Sequence, residues 1–327
     1  KKKNMAMQLS LFVFAVVFLL MFSMIVFVTE VLKGVVVKDY IQNAHAIAEA
    51  RGSQTENLFD RYIYGLKQYS GNEIVRSGDE QKILAWLFEH QDLKDADYDY
   101  MFYSGSDGTS YRDTGLVGEK GAIKERDYYK AVILNGKDSY VDNAVISKTS
   151  KNWVIPVTQA AKDQSGKTFG FFTAMISSDK FSELISSVKV AQNGYLFVVD
   201  ANGLVIAHPK NEFLYKSIDD KTDLKKLIDS KKEGFVRTDA FGEKDVVIVT
   251  NVIKNYGWTV GVVAPYVDVY RAGKKAQDII FIFACFITLA ISGLTGIILT
   301  KIFKNIKVIS ALVEEVASGD ADLTRRL

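Results

Sequence analysis

The chain has a single cysteine in 327 residues, Cys285, and it lies inside a long apolar run. One thiol has no intrachain partner, so disulfides are excluded. The roughly 240 residues of mixed sequence between the apolar runs must bury a core unaided, and that length is sufficient. Histidine is almost as scarce. His45, His90 and His208 are far apart, and with one cysteine there is no paired-ligand spacing for a zinc site. Neither sign of charge dominates: 41 basic against 39 acidic side chains give +2, which is no electrostatic signature of nucleic-acid binding. The sequence also lacks a glycine-rich phosphate loop and a nucleophile elbow, and no histidine neighbours a plausible serine or cysteine nucleophile. No metal, cofactor or catalytic residue is expected, and a binding protein is favoured over an enzyme.

What is present is organised by two apolar runs. The first covers 5–37, broken by Thr29, Glu30 and Lys33; the second covers 279–300. Each supplies the ~20 apolar residues a helix needs to cross a bilayer. Lys1, Lys2 and Lys3 precede the first run, and Lys301, Lys304 and Lys307 follow the second. Positive flanks mark the cytoplasmic side, so both ends are expected inside and the middle outside. The first run is longer than a signal-peptide core, and no clear small-residue cleavage site follows it. The expectation is a protein embedded in the membrane by two transmembrane helices, built to carry information across it.

Beyond the first run, Ile41, Ala44, Ile47, Ala48, Leu58, Tyr62, Leu66 and Tyr69 recur at three- and four-residue steps. That periodicity predicts one helix leaving the membrane for about 40 residues or more, long enough to act as a spine or a dimer-forming helix. A short helix is expected at 81–90. Alternation then predicts a strand at 98–103, a turn at Ser104-Gly-Ser-Asp-Gly108 and a return strand at 110–112. Further strands are expected at 140–146, 153–161 and 169–175, the last two joined by a polar hairpin turn at 161–167. A helix follows at 178–185, with Ser178 or Asp179 as cap and Glu183 in support. From Gly194 a strand at 195–199, a turn at Asp200-Ala-Asn-Gly203 and a strand at 204–207 repeat the strand–turn–strand layout of 100–110. Strands at 234–238, 245–252 and 258–264 complete a second set. The fold class is α+β: two small meander sheets threaded on one long helix. The segment 309–327 is amphipathic and ends in Gly319-Asp-Ala-Asp-Leu-Thr-Arg325. With no receiving domain after it, the sequence is expected to be the front part of a longer protein.

Several segments resemble a known family. Asp107-Gly-Thr-Ser-Tyr-Arg112, Arg126-Asp-Tyr-Tyr-Lys130, Gly194-Tyr-Leu-Phe-Val-Val-Asp-Ala-Asn-Gly203 and Ile206-Ala-His-Pro209 resemble a double Cache (dCache) sensor module. The Gly319–Arg325 end, placed after a membrane helix, resembles the start of a HAMP domain. Together they look like the front half of a bacterial methyl-accepting chemotaxis receptor. The resemblance implies a long helix carrying two PAS-like Cache modules with antiparallel sheets, flanked by two transmembrane helices. It implies a cytoplasmic N-terminus (1–8), a first membrane helix (9–37) and a periplasmic spine (38–74). A membrane-distal ligand-binding module (75–189), a membrane-proximal module (190–275), a second membrane helix (279–300) and a truncated HAMP start (301–327) follow. It also implies an inner-membrane homodimer whose partners are a small-molecule ligand, an organic acid or amino acid, and cytoplasmic signalling proteins reached through a missing C-terminal domain. A histidine kinase or diguanylate cyclase could follow the same front end, and a membrane-anchored hydrolase is a remoter alternative.

In many members of that family an Arg-x-Trp-Tyr motif grips a carboxylate. The matching residues here are Arg126, Tyr128 and Tyr129, with Tyr128 in the tryptophan's place. A guanidinium pairs bidentately with a carboxylate, and tyrosines give apolar walls with an orienting hydroxyl. Amino-acid-binding members add an aspartate for the ligand's ammonium. Aligned on Ile176-Ser-Ser-Asp179, that place holds Met175, and the aromatic expected five residues before the arginine is Gly121. An acid without an amine therefore fits at least as well, with Trp153, Tyr103 and Ser147 available to complete the pocket. Plainer readings stand beside these. Arg126 could pair with Glu125 or Asp127, Tyr128 and Tyr129 could be core aromatics, and Trp153 alternates with Ile155 and Val157 as a core residue would.

Overall fold

In a computed structural model the described residues are 2–188, 190 and 193–317. By contacts the chain divides into two units, one comprising the chain up to Lys38 and from Tyr270 on, the other Asp39–Val269. The first unit contains the N-terminal part of helix α1 (Lys2–Ser70) and most of helix α7 (Tyr266–Ala317). Both are long and apolar enough to cross a membrane. Their surfaces carry exposed Phe12, Leu19 and Phe27 on α1 and Phe286, Leu289 and Ile297 on α7, side chains that water alone would leave unburied. Glu30 and Lys33 pair with each other at 2.8 Å, one helical turn apart.

The second unit holds the rest of α1, every strand and the shorter helices. After α1 come α2 (Glu73–Arg76) and α3 (Glu80–Glu89), the latter capped by Asp79, whose carboxylate accepts from the Gln81 and Lys82 amides. The first sheet contains β1 (Tyr98–Gly105), β2 (Ser110–Arg112), β3 (Ser139–Val141), β4 (Val145–Ile146), β5 (Trp153–Lys162) and β6 (Thr168–Ser177). A one-turn helix, α4 (Asp127–Tyr129), lies between β2 and β3. Helix α5 (Ser178–Ser186) leads to the second sheet: β7 (Tyr195–Val199), β8 (Val205–Ala207), β9 (Gly234–Ala240), β10 (Glu243–Ile253) and β11 (Trp258–Pro265), with α6 (Asp223–Asp229) before β9.

The strand orders are β2-β1-β6-β5-β3 and β8-β7-β11-β10-β9, with β4 an extra partner of β5. All pairs are antiparallel. Counted in chain order and leaving out β4, the two sheets have the same connectivity. Their first hairpins also turn alike. Asp107 accepts from the Thr109 amide at 2.8 Å before Gly108 at φ +80°, and Asp200 accepts from the Asn202 amide at 2.9 Å before Gly203 at φ +82°. Short acidic side chains that bond their own turn, followed by a residue free to adopt positive φ, are what such turns require.

The long helix is continuous to Ser70, as its periodicity predicts. Its buried stripe is Ala44, Ala48, Gly52, Thr55, Phe59, Tyr62, Leu66 and Ser70, steps of three and four. The stripe centres on Phe59 rather than the expected Leu58. Phe59 is fully buried among Trp258, Tyr256 and Phe181, with ring centroids 5.3, 5.4 and 5.7 Å away. Tyr62 reaches Tyr98 at 5.6 Å, and its hydroxyl donates to Asp97 at 2.6 Å. One helix face thus serves both sheets.

Three expectations change. The strand foreseen at 140–146 is two strands: the Asp142 amide still donates to Pro156 of β5, but Asn143 and Ala144 bond to other partners. The cap of α5 is Ser177, one residue earlier than expected, accepting from the Lys180 amide. α6, with Thr222 as its cap, was not foreseen. The Gly319–Arg325 motif lies outside the described residues.

Candidate ligand-binding site

A cavity of about 250 Å³ opens on one face of the first sheet, small for a ligand site. Strand alternation builds its floor. Tyr100 and Phe102 of β1 line it. Arg112 of β2 lies opposite Phe102, and Met175 of β6 lies opposite Tyr100, so both join the same face. The remaining wall comes from the connection after β2, which carries Glu119, Ile123 and Arg126, then Tyr128 of α4, and from 145–149.

Arg126 is held by its backbone: its amide donates to the Ile123 carbonyl at 3.0 Å and its carbonyl accepts from Lys130 at 3.1 Å. Its side chain is half-buried and makes no ion pair with the described residues; the adjacent Glu125 pairs with Lys130 instead, at 3.1 Å. Arg112 is likewise half-buried and unpaired among the described residues. The Tyr128 ring is buried against Phe102, centroids 6.1 Å apart. Burial pushes its hydroxyl pKa up, and the positive charges of Arg126 and Arg112 pull it back.

Ser147 is buried, and its hydroxyl oxygen accepts from the Thr149 and Ser150 amides, both at 3.1 Å. Its hydroxyl also lies 3.1 Å from that of Tyr100, and either can be the donor. When Ser147 donates, the Tyr100 proton is free for the cavity. Donors from Tyr100 and two guanidiniums over an aromatic and thioether floor suit an anionic group on a compact body.

Of the residues singled out in the sequence, Arg126, Tyr128, Ser147 and Met175 come together on this cavity. Three do not. Tyr103 follows Phe102 on the strand and so faces the opposite side, packed on Phe172 at 5.3 Å. Trp153 precedes the cavity-lining Val154, faces away for the same reason, and stacks on Tyr215 at 4.7 Å. Tyr129 turns from the cavity, donating its hydroxyl to the Ser106 carbonyl at 2.6 Å and packing on Phe171. Arg112 and Tyr100 were missed. Their signal was available in the alternation of β1 and β2, once one aromatic of the strand was fixed to the cavity face.

Behind the site, Asn143 and Ala144 bind the cavity wall to the second half of the fold. The Asn143 side-chain oxygen accepts from the Ala201 amide at 3.0 Å and from Trp258 Nε1 at 3.1 Å. The Ala144 amide donates to Asp200 at 3.3 Å. Asp142 is buried; burial raises its pKa to about 6, opposed by the Asn143 and Tyr128 amides and by Arg126. A second cavity of about 200 Å³ sits on the second sheet, lined by Phe213, Phe241 and Leu224. Its cation, Lys216, is exposed, and its Asp219 and Thr222 oxygens are engaged in capping turns. The first cavity is the better candidate.

Comparison with known proteins bears on the fold. The family model for the Cache domain, dCache_1, matches residues 32–272. The methyl-accepting chemotaxis protein PctB of Pseudomonas aeruginosa is 21% identical over 299 residues, covering 89% of this chain and 45% of that protein. The chain thus spans about half the length of that relative. Among solved structures, the ligand-binding domain of the Pseudomonas fluorescens chemoreceptor CtaA, in complex with L-isoleucine, has a TM-score of 0.59 at 16% identity, covering 73% of this chain and 98% of that one. The extracellular domain of the putative histidine kinase mmHK1S-Z3 has a TM-score of 0.57 at 14% identity, covering 74% and 98%. At these identities the structural matches speak for the fold alone.

Proposed function

The chain belongs to the Cache-domain family, and from that premise we propose that it is the sensory part of a transmembrane chemoreceptor that binds a small carboxylate in the first-sheet cavity. One observation carries the reading: Arg126, half-buried and without an ion pair among the described residues, lines a cavity with Tyr128 and Met175. A charged group that is partly desolvated and unpaired is costly unless a ligand supplies the counter-charge. Amino acids are the comparison ligands, since CtaA was solved with L-isoleucine. Here Met175 offers an ammonium group no carboxylate, which favours an acid without an amine.

The identical connectivity of the two sheets supports two Cache modules, the first membrane-distal and ligand-binding, the second membrane-proximal. The apolar parts of α1 and α7, with lysines beyond each, support an inner-membrane protein with both ends cytoplasmic and the sheets periplasmic. The protein acts as a homodimer and signals through a HAMP segment to cytoplasmic chemotaxis partners; it binds and does not turn over its ligand. Ligand shifts α7 between two arrangements only by its difference in affinity for them. The likeness to a histidine-kinase extracellular domain supports a second reading, in which the same sensor drives a kinase.

The test is a thermal-shift screen of the chain in detergent micelles with small organic acids and L-amino acids. A ligand at 100 times its dissociation constant adds about 2.7 kcal/mol. An acid that stabilises the parent and not Arg126→Ala supports the site; stabilisation that survives Arg126→Ala rejects it.

A further inference from the structure

The cavity holds more positive charge than one carboxylate can use. Arg112, Arg126 and Lys148 line it against a single carboxylate, Glu119. Glu119 is exposed, and Lys148 is exposed with its ammonium 3.5 Å from the Ala122 carbonyl. The two arginines differ from both: each is half-buried, and neither has an ion pair among the described residues. They also enter from different directions. Arg112 rises from the sheet, fixed by its place opposite Phe102 on β1. Arg126 enters from the connection that precedes α4. A ligand with one anionic group that satisfies one fork leaves the other guanidinium partly desolvated over Phe102 and Tyr128, where an unpaired charge is costly.

Resting on the proposed carboxylate-binding function, we infer that Arg112 forms a second anion subsite, so that the cavity selects a short dicarboxylate, one carboxylate on Arg126 and the other on Arg112. The cavity, at about 250 Å³, has room for a four- or five-carbon diacid. The Tyr100 hydroxyl, when Ser147 donates to it, gives a further donor to the same ligand. The apolar floor of Phe102 and Met175 suits a methylene spine and offers nothing to an ammonium group.

The experiment is calorimetric titration of the chain in lipid nanodiscs with succinate, with butyrate as the monoanion of equal length, and with L-aspartate. Succinate is expected to bind more tightly than butyrate by about tenfold to a hundredfold, the range for one added charge-assisted pair. Arg112→Ala should cost succinate at least about tenfold more than it costs butyrate, with an unchanged circular-dichroism melt reporting that the variant is folded. Arg112→Lys should recover part of the preference. Succinate no tighter than butyrate, with butyrate still lost in Arg126→Ala, overturns the second subsite and leaves the proposed function standing. Equal loss of both ligands in Arg112→Ala places both arginines on one carboxylate and overturns it too. L-Aspartate tighter than succinate, with the excess lost in Glu119→Gln, replaces the diacid by a zwitterion. No binding of any of the three rejects the diacid site together with the carboxylate reading beneath it.

Discussion

Asn143 offers the sharpest test of how the cavity is joined to the rest of the fold. Its side-chain oxygen accepts from two donors in the second sheet, the Ala201 amide and Trp258 Nε1. Asn143→Ala removes both bonds. The Ala201 amide is half-buried and recovers some water, but Trp258 is 1% exposed, so its N–H is left without a partner. An orphaned buried donor costs about 1–3 kcal/mol, and one such donor dominates here, giving a loss of about 2 kcal/mol. In a folded unit of this size that lowers the midpoint of thermal unfolding by about 4–8 °C. Trp258→Phe deletes the same donor while keeping an aromatic ring against Phe59. The double variant should therefore show a coupling of about 1 kcal/mol or more, read from intrinsic fluorescence or circular dichroism of the chain in detergent. Because the segment runs directly into the wall at 145–149, Asn143→Ala should also weaken ligand stabilisation. A midpoint shift below about 1 °C, or strict additivity with Trp258→Phe, would refute the bridge.

Other perturbations follow the same chemistry. Phe59→Ala opens a cavity among four aromatic rings and should cost about 3–5 kcal/mol, measured by the loss of thermal midpoint; a loss under about 1 kcal/mol would mean that α1 does not anchor the sheets. Asp142 has its pKa raised by burial from 3.8 to about 6, so the folded state holds its proton more tightly than the unfolded one. Its stability is fully present below about pH 4 and lost as pH rises through about 6, by about 3 kcal/mol. Asp142→Asn should flatten that part of the pH–stability curve. His208 has the opposite sign: burial lowers its pKa from 6.5 to about 4, so stability is full above about pH 6.5 and falls as pH drops toward 4. The two slopes oppose each other between about pH 4 and 6, so each is read as variant minus parent, with His208→Gln for the histidine; parallel curves in either comparison contradict the assignment.

The parts of the fold that periodicity governs were legible in the sequence. The long helix, the hairpin of β5 and β6 and the strands of the second sheet follow from three-to-four spacing, alternation and turn residues. Asp163, for example, accepts from the Ser165 and Lys167 amides ahead of Gly166 at φ +84°. What periodicity could not give is the partner of a side chain far along the chain. Where the expected strand breaks, at Asn143 and Ala144, the bonding partners lie more than fifty residues away, at Asp200, Ala201 and Trp258. Around the cavity, Arg126, Tyr128 and Met175 stand together, residues that a sequence pattern singled out. Tyr103 and Trp153 were assigned to the wrong face because a single-residue choice on a strand is a choice of face, and nothing local fixed it. Tyr100, on the strand of Tyr103, and Arg112, on the neighbouring β2, lie on the cavity face.

The central claim is that ligand binds on the first sheet through Arg126, and the most direct measurement compares two variants in one titration. The organic acid that most stabilises the chain is titrated against the parent, Arg126→Ala and, for the second-sheet cavity, Lys216→Ala. Binding lost in Arg126→Ala and unchanged in Lys216→Ala is the predicted result. Binding unchanged in Arg126→Ala and lost in Lys216→Ala would place the ligand on the second sheet and contradict the account.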